Sequence, residues 1–158
     1  MLTCVCAWDG TQGHTWFFRT NDEFEQSKKH ILQILHSTPL IYAFNGAHFD
    51  LPVLGRCLGE PIGQWMAKLV DPLYAARSIL GSGGTMPLST FLSLNSLPSK
   101  SGSGAHAVEL ALQGRWEDLG HYCMDDTRLT YEAIARGAWS NSLRYSPWKR
   151  NRIFTTQD

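Results

Sequence analysis

Changes of hydrophobic period divide the chain into its elements. Leu2 to Trp8 alternates, with Cys4 and Cys6 on one side and Thr3 and Val5 on the other, which is the period of two that a β-strand requires. Asp9-Gly10-Thr11-Gln12-Gly13 is turn chemistry, so His14 to Arg19 reads as the returning arm of a hairpin. From Thr20 the period lengthens. Thr20 and Glu23 have the spacing of a capping box, and the helix behind them turns Phe24, Ile31, Ile34 and Leu35 inward. Glu25 and Lys29 form an i,i+4 pair on its wet face.

Leu40 to Phe44 is an unbroken apolar run, too short for a helix and expected as a strand buried on both faces. Asn45-Gly46 ends it, and Leu51, Leu54 and Leu58 restart the pattern at helical spacing. Asp50 therefore stands where a strand gives way to a helix. Two readings are open there: a helix N-cap, or a carboxylate delivered to a cleft by rigid backbone.

Downstream, Gly59 to Gly63 is a loop around Pro61, and Lys68-Leu69-Val70-Asp71-Pro72 reads as a short strand stopped by proline. A helix over 73–80, a glycine-rich break over 81–84 and a short apolar helix over 88–97 follow. After a Ser/Gly loop over 99–104 come helices near 105–112 and 116–136. A hairpin followed by alternating helix and strand predicts an α/β fold, a mixed sheet flanked by helices. The organisation is one domain over 1–137 and a tail over 138–158.

Composition narrows the function classes. With 158 residues and 43% hydrophobic content, the chain can bury one real core. Fourteen basic and fourteen acidic residues cancel, so no global attraction to nucleic acid follows. The tail is the exception, with Arg144, Lys149, Arg150 and Arg152 among Trp139, Tyr145 and Trp148, a set suited to unpaired bases or to packing on the domain or a partner. The four cysteines, Cys4, Cys6, Cys57 and Cys123, form no CxxC pair, and Cys4 and Cys6 read as buried thiols. The expectation is an intracellular protein (cytoplasmic, nuclear or virus-associated), neither secreted nor in a membrane, since no signal peptide or spanning apolar run is visible.

A second chemical stretch is Leu119 to Glu132. On a helix, Tyr122 and Asp126 are i,i+4 on one face, with His121 one step round. A carboxylate beside a phenol or imidazole suits metal-assisted attack of water on a phosphodiester; a packed Tyr and a solvated Asp are the plain alternative.

Together these stretches resemble the DEDD family of 3′–5′ exonucleases, of ribonuclease-H-like fold, and are most similar to exonuclease domains associated with family B DNA polymerases. Asn45-x-x-x-Phe49-Asp50 resembles the family's second motif, and Tyr122-Cys-x-x-Asp126-x-x-x-Thr130 its third. Asp71-Pro72-Leu73-Tyr74-Ala75-Ala76-Arg77 resembles the segment between them, with Leu97-Pro98-Ser99-Lys100 beyond. The resemblance implies hydrolysis at the 3′ end of single-stranded nucleic acid, DNA before RNA, with Mg²⁺ or Mn²⁺ as a two-ion cofactor. It implies Asp50 and Asp126 as metal ligands, and Tyr122 or His121 as the residue that positions water. Asn45, Phe49, Asp71 and Lys100 would serve on the substrate side.

The family's first motif, Asp-x-Glu on a central strand, has no counterpart, and the first strand seen here resembles that fold's second. Asp9 belongs to a turn, and Glu23 and Glu25 to a helix start and a wet face. The expectation is therefore a sheet without its usual first strand, whose open edge invites a second copy or a partner protein. The alternative function is a catalytically inactive nucleic-acid-binding or protein-interaction module that keeps the fold.

Overall fold

A computed structural model describes residues 2–74, 86–98 and 104–135, and the backbone of 143–145 and 152–154. In chain order the elements are β1 (Cys4–Trp8), β2 (Gly13–Phe17), α1 (Asn21–Ser37), β3 (Ile41–Tyr42), α2 (Asp50–Leu58) and α3 (Gly63–Met66). They continue as β4 (Leu69–Val70), α4 (Leu88–Leu94), α5 (Gly104–Leu112), α6 (Trp116–Ala133), β5 (Leu143–Tyr145) and β6 (Arg152–Phe154). The fold class is mixed α/β.

The hairpin forms as its pattern demands: β1 and β2 are antiparallel, in register from Cys4 with Phe17 to Trp8 with Gly13. Asp9 holds the turn, its Oδ1 accepting from the Thr11 and Gln12 amides at 2.8 and 2.7 Å and from the Thr11 hydroxyl at 2.9 Å. The Gln12 and Thr11 amides pull the exposed Asp9 carboxyl down to about 2. The capping box also forms. Thr20 Oγ1 accepts from the Glu23 amide at 3.2 Å, and Glu23 reaches back to the Arg19 amide at 2.8 Å. The ion pair of this helix is Arg19–Glu23 at its start. At its other end the Lys68 ammonium donates to the carbonyls of His36 (3.2 Å) and Thr38 (2.8 Å), tying α1 to the approach of β4.

Among the described residues the expected single sheet does not form. β1 pairs with β2, β3 with β4 in parallel, and β5 with β6, each as a separate two-stranded ladder. The expected double-sided burial of Leu40–Phe44 is not seen: β3 is two residues long and packs on one face, so Leu40 and Tyr42 stay 47% and 41% exposed while Ile41 turns inward. The tail, for which the sequence predicts no element, contains the antiparallel β5–β6 pair. The 59–67 segment also holds an unexpected short helix, α3, which places Trp65 in the core with no exposure. Residues 72–74 open the expected 73–80 helix; the rest of it, the 81–84 break and nearly all of the 99–104 loop lie outside the described residues.

Three apolar clusters hold these pieces together. Phe18, Ile31, Leu35, Leu51, Leu58 and Trp65 fill the space between hairpin, α1 and α2. Leu110, Leu119 and Tyr122 join α5 to α6 against Cys4 of β1. Leu73, Phe91, Leu92, Leu129 and Ala133 lock α4 and the C-terminal half of α6 to Phe44. Each fully buried leucine contributes about 2 kcal/mol through removal of apolar surface from water. Helix α6 crosses the hairpin so closely that a Cβ on Gly120 would sit 2.6 Å from Phe17 Cζ; only glycine allows that approach.

Candidate active site

The site is built on Asp71, which follows β4 and is only 3% exposed. Its Oδ1 accepts from the amides of Asn45 (2.9 Å), Leu73 (3.0 Å) and Tyr74 (3.2 Å), and its Oδ2 from Ala47 (3.0 Å). The bonds to Leu73 and Tyr74, with Pro72 between, are those of an N-cap aspartate at a helix start. The bonds to Asn45 and Ala47 fasten the loop that leaves β3. Asp71 therefore holds this loop from beneath, with both carboxylate oxygens taken up by backbone amides.

The loop follows from local chemistry. Asn45 is left-handed (φ 65°), a conformation asparagine tolerates better than most residues, and its carbonyl accepts from the amides of His48 (3.2 Å) and Phe49 (2.9 Å). A Cβ on Gly46 would lie 2.5 Å from Ala43 Cβ, so the turn closes only with glycine there. Asp50 emerges as the first residue of α2. The cap position is Phe49 and has no side-chain cap bond, so Asp50 is not the N-cap. Burial, and then the charge of Asp71, raise its carboxyl to about 6.

Around Asp50 the surface is aromatic. Phe49 is 61% and Tyr74 50% exposed, and the His48 ring lies 5.8 Å from that of Tyr74. The sequence sets His48 just before the acid, where it can serve the helix start or approach substrate, but does not pair it with Tyr74, because their proximity depends on Asp71 joining two segments.

The second stretch lies on α6. Tyr122 is buried against Leu110 and Leu119, with His106 edge-on at 6.2 Å, while His121 is exposed. Asp126 is partly buried on the same side as Tyr122. One turn further, Leu129 shares a cluster with Phe44 and Leu73, the close neighbours of Asn45 and Asp71. Helix α6 thus brings Asp126 toward the end of β3–β4 that carries Asp50. Lys100 lies outside the described residues.

Among the described residues no three carboxylates come together as a two-ion centre would require. Asp71 and Asp9 are engaged with backbone amides. Among the described residues the one cluster of three potential ligands is Cys4, Cys6 and Cys123. The sequence pairs the first two on one strand face but gives no hint that Cys123 meets them.

No protein-family model matches the chain, and neither a curated protein nor a solved structure matches it. Among the described residues, no helix is long and apolar enough to cross a membrane.

Proposed function

We propose that this chain is a ribonuclease-H-like, DEDD-type exonuclease domain that receives the 3′ end of single-stranded nucleic acid, DNA before RNA. The observation that carries this reading is the juxtaposition at the mouth of α2. A carboxylate raised by burial opens α2 next to the exposed Phe49 ring, behind a loop that a second buried carboxylate fastens. Phe49 and Tyr74 offer faces on which unpaired bases stack, worth about 1–3 kcal/mol per base. Asp50 and Asp126 are the chain's contribution to Mg²⁺ or Mn²⁺ binding, and His121, exposed on α6, is better placed than the packed Tyr122 to meet solvent. The further carboxylates that hydrolysis needs come from a second copy or partner protein, added as a strand to the sheet.

A second reading, strand binding without cleavage, is favoured by the lack of a three-carboxylate cluster among the described residues. Incubating a 5′-labelled single strand with Mn²⁺ separates the two: progressive shortening from the 3′ end marks the nuclease, and retention of an intact strand marks the binder.

A further inference from the structure

The face of β1 opposite the main core carries Cys4 and Cys6, two residues apart, and α6 lays Cys123 over it. The Cys4 and Cys6 sulfurs are 3.9 Å apart, and all three lie within 4.8 Å of one another. We propose that Cys4, Cys6 and Cys123 form a zinc site that staples β1 to α6.

The geometry is close to that of a bound ion. Zinc–sulfur bonds of about 2.3 Å set ligand sulfurs ~3.8 Å apart in a tetrahedron, so Cys4 and Cys6 already stand at ligand spacing, and Cys123 needs a movement of less than ~1 Å. That is within reach of a side-chain rotation at partly exposed positions.

The donor set selects the metal. Three sulfurs with no carboxylate or imidazole favour a soft ion over Mg²⁺ or Ca²⁺. Oxygens stand at the side: Thr15 Oγ1 is 3.5 Å from Cys6 Sγ, and Cys6 donates to the Gly120 carbonyl at 3.8 Å. With the Thr15 hydroxyl or a water, they offer Zn²⁺ the fourth oxygen position it needs. Zn²⁺ also leaves one net negative charge on three thiolates where Cu⁺ leaves two, and the smaller charge is cheaper to hold in a half-buried place. Binding releases the thiol protons of the trio to solvent as the zinc–sulfur bonds form.

This site is independent of the nuclease reading, because it uses none of the carboxylates and its readouts are thiols and metal content. The test is a Zn²⁺ titration of the reduced full chain against a chromophoric chelator, with a count of reactive thiols at saturation. One Zn²⁺ per chain is expected, with reactive thiols falling from four to one, and to none in Cys57→Ser. Cys123→Ser should weaken binding at least ~100-fold while Cys57→Ser leaves it unchanged. Far-ultraviolet circular dichroism checks that each variant is folded, and Cys6→Ser supplies a second ligand deletion should Cys123→Ser not fold. Four reactive thiols at saturating Zn²⁺, equal affinity in a folded ligand variant, or uptake of Cu⁺ with rejection of Zn²⁺ would each overturn the proposal.

Discussion

Asp71 Oδ1 accepts a hydrogen bond from the Asn45 amide at 2.9 Å, joining residues 26 positions apart beneath the loop that presents Asp50. This contact makes one carboxylate the support of another. Asp71→Ala should leave the amides of Asn45, Ala47, Leu73 and Tyr74 without their acceptor, at a cost of about 3 kcal/mol in urea denaturation. Asp71→Asn keeps one oxygen and should cost roughly half as much. A loss under about 0.5 kcal/mol for Asp71→Ala would show that the loop stands without it.

Asp50 makes stability depend on pH in a stated direction. Its carboxyl is raised from an ordinary value of 3.8 to about 6, so between these pH values the folded chain holds a proton that the unfolded chain releases. The contribution therefore favours folding below about pH 4 and fades as pH rises through 6. Asp50→Asn should remove this term and stabilise the chain at pH 7 by on the order of 2 kcal/mol. Denaturation at pH 4.5 and 7 measures it; equal pH slopes for both proteins would refute it.

The same proton competes with a divalent cation. Mn²⁺ affinity should climb about tenfold per pH unit below 6 and level off above it, since one proton leaves as the ion binds. Paramagnetic broadening by Mn²⁺ reads this directly, and a flat profile would remove Asp50 from the ligands.

Phe49 is exposed, and its truncation should shift stability by less than about 0.5 kcal/mol. Phe49→Ala should nevertheless weaken binding of a single-stranded oligonucleotide about tenfold through the lost stacking. Unchanged fluorescence anisotropy would place the strand elsewhere.

Gly120 is required by packing. Gly120→Ala drives a methyl group toward Phe17 and should destabilise the fold by about 1–3 kcal/mol, visible in its melting temperature.

Local chemistry was the legible part of this chain. The Asp9 turn, the Thr20–Glu23 cap and the start of α6 depend on residues a few positions apart, and the structure reproduces them. Asp50 at the strand–helix junction was legible for the same reason. The support from Asp71, the aromatic neighbours His48 and Tyr74, and the meeting of Cys123 with Cys4 and Cys6 depend on contacts across 24 to more than 100 positions. No spacing rule reaches that far. The apolar run at Leu40–Phe44 misled because its composition reports hydrophobicity but not how many neighbours a strand acquires. Leu40 and Tyr42 face solvent, while Ile41 and Phe44 pack inward.

The most direct test of the account is incubation of a 5′-labelled single-stranded oligonucleotide with Mn²⁺, beside the Asp50→Ala protein. The account predicts a ladder shortening from the 3′ end that disappears in Asp50→Ala. A strand neither bound nor shortened by the wild-type chain, or a ladder that persists in Asp50→Ala, would contradict it.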